Sequence, residues 1–226
     1  MPAATLQEEG LTVIFVGSFN PAIFHPEWFA RMGVIPIDDI KEGAADVKFL
    51  SHDAADVTFS GMKLQCLPER LTISAVNPGR FAQLQELLIA TLRILPHTPF
   101  HACGINRSLD YLLQSEEYWH KIGHALVPKD PVWRSVFTDP RTQSVSIKQR
   151  REGEFPGDVN VTVEPSVRHH PGVFIRSNWH YPLTVEQRHS ESAGTMVAYL
   201  SSAWTDACSQ ATDVAKAVFE HIRPNE

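Results

Sequence analysis

The sequence predicts an α+β fold built from two related units. Each unit should run strand, short helix, antiparallel strands, long helix. Three observations carry this expectation. First, Glu27-Trp28-Phe29-Ala30-Arg31-Met32-Gly33 recurs by residue class as Glu117-Tyr118-Trp119-His120-Lys121-Ile122-Gly123, with a loose fourth position. Second, a β-like run ending in Gly and Asn precedes each copy: Val16-Gly17-Ser18-Phe19-Asn20 and Cys103-Gly104-Ile105-Asn106. Third, each unit closes on a long amphipathic helix able to cover one face of a sheet. The expected units are 1–96 and 97–226, packed as one compact domain.

In chain order, Leu11 to Phe19 is apolar and β-branched and predicts a buried strand. Pro26 suits the first position of a short helix, Glu27 adds favourable charge there, and Gly33 suits its stop. Residues 41–46 predict a polar loop. Val47 to Leu50, Val57 to Cys66 and Leu71 to Val76 predict strands. Phe81, Leu84, Leu87, Leu88, Leu92 and Leu95 fall at helical spacing, and Pro96 ends that helix.

The second unit begins with a strand near Phe100 to Ile105. Ser115 is the expected N-cap of a helix whose first turn holds Glu116 and Glu117. Gln143 to Gln149, Val159 to Val163 and Val173 to Ser177 predict strands. The charged, Gly- and Pro-containing segment from Arg150 to Asp158 should be an exposed turn. A helix from Ser192 to Ile222 carries one apolar stripe through Met196, Leu200, Trp204, Ala207, Ala211, Val214 and Val218.

Composition narrows the function classes. A formal net charge of −6 makes nucleic-acid binding unexpected. No apolar run is long enough to span a bilayer. The first residues lack the basic start and apolar core of a signal peptide. Three scattered cysteines without C-x-x-C spacing fit free thiols in a reducing compartment. A soluble cytoplasmic protein is expected.

Several phrases are familiar together: Val16-Gly17-Ser18-Phe19-Asn20-Pro21, His97-Thr98-Pro99, Gly104-Ile105-Asn106-Arg107, Ser115-Glu116-Glu117-Tyr118-Trp119, Pro128-Lys129 and Val163-Glu164-Pro165-Ser166. They resemble an uncharacterised family of bacterial proteins. The resemblance implies a bacterial chain that is one family over most of its length. It carries no activity, cofactor or site residue.

Candidate chemistry is sparse. Glu117, His120 and His124 share one helix face and offer a ligand set for a divalent metal. Lys121 stands where the zincin pattern needs Glu, and Gly123 weakens the helix between the histidines. Asn20, Asn77, Asn106 and Asn178 each follow a predicted strand, which suits turn capping. The histidines fall in loose groups, among them His169 with His170 and His180 with His189. The basic turns at Lys148, Arg150, Arg151 and Arg168 are diluted by Glu152, Glu154 and Asp158. The cysteines lie in apolar surroundings that make thiols inert. There is no G-x-S-x-G, phosphate-binding loop or dinucleotide fingerprint, and no cofactor is expected.

Three functional expectations follow. The first is a non-catalytic binding or scaffold protein that self-associates or binds a partner protein through the last helix. The second is an enzyme or small-molecule binder with a site between the halves, using Asn106, Arg107, Asp110, Asn178, His180 and Tyr181. The third is a metal-dependent hydrolase at Glu117, His120 and His124.

Overall fold

A computed structural model describes residues 3–41, 45–189 and 192–224. It contains nine strands in one antiparallel sheet, with helices packed on it, an α+β architecture. Along the chain come β1 (Ala4–Gly17), α1 (Pro26–Arg31), β2 (Asp46–Leu50), β3 (Ala55–Phe59), β4 (Met62–Leu67), β5 (Arg70–Ala75) and α2 (Phe81–Ile94). There follow β6 (Phe100–Leu113), α3 (Glu116–Leu126), β7 (Val145–Arg151), β8 (Gly157–Pro165), β9 (Gly172–Pro182), α4 (Val185–His189) and α5 (Ser192–His221). The strand order is β2-β3-β4-β5-β1-β6-β9-β8-β7. The sheet therefore runs unbroken across the boundary at residues 96 and 97, through the pairing of the long strands β1 and β6. Residues 42–44 of the expected polar loop lie outside the described residues.

Period-two alternation divides the sheet into two faces. Leu11, Val13 and Phe15 of β1 are buried on the helix face, opposite Arg107, Ile105 and Cys103 of β6. α2 packs on β5, α5 lies across β6 and β9, and the two helices pack on each other. Phe29 of α1 reaches Phe59 with ring centroids 5.1 Å apart, so the β3–β4 end is covered too. A second apolar cluster joins Leu109 and Ile175 of the sheet to Tyr118 and Ile122 of α3 and Ala211 and Val218 of α5.

The helices form where their caps and stripes place them. Ser115 Oγ accepts from the Tyr118 backbone N–H at the start of α3. Asn20 and Asn77 follow β1 and β5 and cap their turns, accepting from Ala22 N–H and Gly79 N–H. Gly33 takes a positive φ of 69° just past α1. The matching Gly123 lies inside α3, which continues to Leu126. The buried aromatic also differs by one position between the copies: Phe29, the second of the first pair, and Tyr118, the first of the second pair.

Several elements depart from expectation. The run from Val57 to Cys66 is a hairpin rather than one strand, turning at Ser60 and Gly61 with φ of 52° and 71°. Two positive φ values in a two-residue loop are the twist-matched solution for a hairpin. β6 continues to Leu113 and β9 to Pro182, so Asn106 and Asn178 lie within strands instead of after them. β1 begins at Ala4, where its polar residues pair with the far end of β6. Finally, no large apolar side chain of α5 is among the exposed ones, because its stripe is buried on the sheet. The expected docking face on that helix is thus withdrawn. Among the described residues no helix is long and apolar enough to cross a membrane.

Candidate functional site

The face of the sheet away from the helices carries rows of side chains running across the strands. One row is Glu8, Asp110, Phe174 and Glu164, from β1, β6, β9 and β8. The next is Gly10, Ser108, Arg176 and Thr162. A third is Ser74, Thr12, Asn106, Asn178 and Asn160. A cavity of about 330 Å³ opens over the first row, the Gly10–Ser108 end of the second and the Ser74–Thr12 end of the third. Glu9, Ala75, Val76, Pro165, Val167 and Arg168 complete its lining.

Each part of this cleft has a local cause. Gly10 leaves depth in the floor: a Cβ there would meet Ser108 Oγ at 3.1 Å. The β8–β9 turn forms one wall, and Ser166 Oγ holds it by accepting from Arg168 N–H and His169 N–H. Arg168 pairs with Glu8 across the opening, and His169 Nε2 stands 3.6 Å from Glu8. Asp110 is only 4% exposed. Its Oδ1 is buried with no hydrogen-bond partner among the described residues. A buried carboxylate oxygen without a donor is unfavourable by itself. That oxygen is closed off from solvent, so it faces the protein interior while the residue as a whole lines the cavity.

The second expected site set is divided by the sheet. Asn106, Asp110, Asn178 and His180 lie on the open face, whereas Arg107 and Tyr181 lie on the helix face. Alternation forces this, since residues one apart on a strand point to opposite sides. Arg107 is 6% exposed and pairs with Glu9. It also donates to Gly10 O at 3.1 Å and Ser108 O at 3.2 Å, and lies 4.7 Å over the Phe81 ring. Tyr181 stacks on Tyr199 with centroids 4.8 Å apart, and its hydroxyl accepts from Gln187 Nε2. Both are structural groups.

On the open face the set does not converge either. Asn178 donates to Asn106 Oδ1 at 2.6 Å, and Asn106 donates to Thr12 O at 3.3 Å, a cross-strand amide ladder. His180 pairs in register with Gly104, six residues along β6 from Asp110, a separation of about 20 Å at the usual strand rise. Of the six residues, Asp110 alone lines the cleft.

The metal set fares similarly. Glu117, His120 and His124 are exposed on α3. Among the described residues no three His, Cys, Asp or Glu side chains gather to hold a metal ion, these included. The hollow beside His120 and His124 is about 70 Å³, too small for an organic ligand. At its edge the Lys129 ammonium donates to Gly123 O, Val127 O and Thr142 Oγ1, tying down the end of α3. Burial lowers the pKa of this lysine.

The remaining expected chemistry is also accounted for. Lys148 pairs with Asp158 at 2.8 Å, and Arg151 stacks 4.6 Å over the Trp179 ring. His170 reaches Glu116 at 3.0 Å. The side chain of His189 lies outside the described residues. Burial pushes the Cys66 thiol up to about 12 and the Cys208 thiol to about 11, and raises Cys103 as well. Sequence reasoning missed Gly10, Thr12, Ser74, Ser108, Glu164 and Phe174. Extending the alternation of β6 past Ile105 would have placed Asn106, Ser108 and Asp110 on one face.

No protein-family model matches the chain, and no curated protein matches it.

Proposed function

We propose that this chain is a non-catalytic binding protein assembled from two related halves, with its ligand seated in the open-face cleft where the halves meet. The observation that carries this reading is the open-face cavity of about 330 Å³, lined from both halves and with the nearly buried Asp110 in its wall. Gly10, Thr12, Ser74 and Val76 come from the first half, and Ser108, Asp110, Glu164, Arg168 and Phe174 from the second. The strand order supports the duplication. Outward from the centre, β1, β5, β4 and β3 correspond to β6, β9, β8 and β7, with β2 additional. Each half then closes on a helix, α2 or α5. Hydroxyls and carboxylates suit hydrogen-bonded recognition, while the thiols are held protonated by burial.

Thermal shift with a small-molecule cell extract tests the reading, comparing the wild type with Ser108→Trp, which fills the cleft. A ligand at a hundredfold its Kd adds about 2.7 kcal/mol. That corresponds to a rise of about 5–11 °C for a chain of this size. The extract should raise the wild-type Tm and leave the filled variant unmoved. An equal response from both would count against the cleft.

A second surface supports a partner-protein role. Val132, Trp133, Val136 and Phe137 are 63%, 46%, 73% and 54% exposed on one loop. Clustered apolar exposure of this kind marks interaction surfaces. Light scattering on the wild type and on Trp133→Ser/Phe137→Ser should show loss of any self-association in the variant. An identical mass for both, with no partner retained by the wild type alone, would remove this surface.

A further inference from the structure

We propose that the free edge of β7 takes up an acidic, extended segment of a partner protein as a further antiparallel strand, with an apolar side chain at its end seated beside Trp133 and Phe137. The proposal rests on the partner-protein reading of that loop and names the partner's chemistry; it is independent of the open-face cleft. β7 is the last strand of the sheet and is paired with β8 alone. Its residues 146–150 are all exposed, on both faces. Such an edge presents unpaired backbone N–H and C=O groups to an extended chain. The opposite edge is different. β2 has a register shift between Val47 and Phe49 where it pairs with β3, and bulges of this kind close an edge to further strands. β7 keeps an unbroken register with β8 from Val145 to Arg151.

The side chains along the edge select the segment. β7 carries Lys148, Arg150 and Arg151 and no acidic residue, in a chain of net charge −6. Lys148 pairs with Asp158 at 2.8 Å. Arg150 and Arg151 have no ion pair among the described residues. Glu152 and Glu154 lie past the strand end, in the turn to β8. A second copy of β7 brings its own cations to this edge, whereas carboxylates opposite Lys148 and Arg150 form favourable cross-strand pairs. On the helix face Ile147 is 64% exposed, beyond α5, which lies over β6 and β9. An antiparallel segment that alternates acidic with aliphatic residues matches both faces of β7. Its C-terminal end then lies beside Val145. There Gln143 and Ser144 lead into a groove of about 500 Å³ walled by Trp133 and Phe137. Those two rings are 46% and 54% exposed, and a large apolar side chain in the groove covers them.

Fluorescence anisotropy of the full chain with the labelled peptide Glu-Thr-Glu-Val-Thr-Val-Ser-Phe tests this. The peptide should bind, and Lys in place of both Glu residues should weaken it at least tenfold. Methylating alternate backbone nitrogens gives two further peptides. One should lose binding and the other keep it, because only every second amide of a strand faces its neighbour. Arg150→Glu should weaken the acidic peptide at least tenfold with an unchanged Tm, since the position is exposed. Trp133→Ser/Phe137→Ser should weaken it at least tenfold as well. No binding, equal affinity for the Glu and Lys peptides, or two methylated peptides that both bind as tightly as the parent would overturn the proposal. So would equal binding of single-stranded oligothymidylate, which would make the edge a phosphate site. Self-association lost in Arg150→Glu would assign the edge to a second copy and also overturn it. If the peptide fails while Trp133→Ser/Phe137→Ser still changes the mass found by light scattering, the loop surface stands and strand addition falls. If neither responds, both fall.

Discussion

Arg107 is expected from sequence to touch a ligand, and the structure instead makes it a buried structural cation; breaking its pair with Glu9 tests that reassignment. The Arg107 side chain is 7% exposed and that of Glu9 is 22%. Breaking a fully buried pair costs about 3–5 kcal/mol. Glu9→Gln keeps the shape and leaves the guanidinium its two backbone carbonyls, and Glu9 is partly solvated, so about 2–3 kcal/mol is expected. Arg107→Met strands the Glu9 carboxylate and frees the carbonyls of Gly10 and Ser108, for about 3–4 kcal/mol. The double variant should fall short of the sum by about 1.5–3 kcal/mol, since each single change strands the other partner. Tm should drop by about 4–12 °C for Glu9→Gln. Urea denaturation followed by tryptophan fluorescence, with unchanged m-value, reads these differences. Single variants within about 0.5 kcal/mol of wild type, or strict additivity, would refute the structural role.

Three further outcomes follow from the same packing. Folded thiols stay protonated to about 11 for Cys208 and about 12 for Cys66, whereas unfolded thiols ionise near 9.0. The folded chain then holds more protons above pH 9, so stability should fall as pH rises from there, by up to about 1.4 kcal/mol per pH unit per thiol. Denaturation at pH 8 and pH 10 should show a shallower loss in Cys66→Ala/Cys103→Ala; equal losses would contradict it. Lys129→Met should cost about 2–3 kcal/mol by unpairing the carbonyls that the ammonium holds at the end of α3, measured by urea denaturation. Tyr118→Phe removes the hydroxyl that donates to Ile222 O at 2.7 Å, for about 1 kcal/mol, and should speed amide exchange in the last turn of α5.

What was legible in the sequence was whatever burial writes as a period. The stripes of α2 and α5 and the alternation of β8 are one-sided contacts with the core, and they read directly. Three kinds of feature did not. The Ser60–Gly61 turn was passed over because only two residues separate β3 from β4, and both strands alternate apolar with polar side chains. The far half of β6 is masked because Arg107 sits on the buried face, where charge normally signals a loop. The cleft is a product of pairing: Glu8, Asp110 and Glu164 are remote in sequence and meet only because β1, β6, β9 and β8 are neighbours. Asp110 was found by residue type; its neighbours required the strand order.

Soaking crystals with a cocktail of small polar fragments tests the binding site most directly. The account predicts density in the cleft between Ser74, Ser108 and Asp110. Fragments that leave this cleft empty and gather instead in the groove beside Trp133 and Phe137 would contradict it.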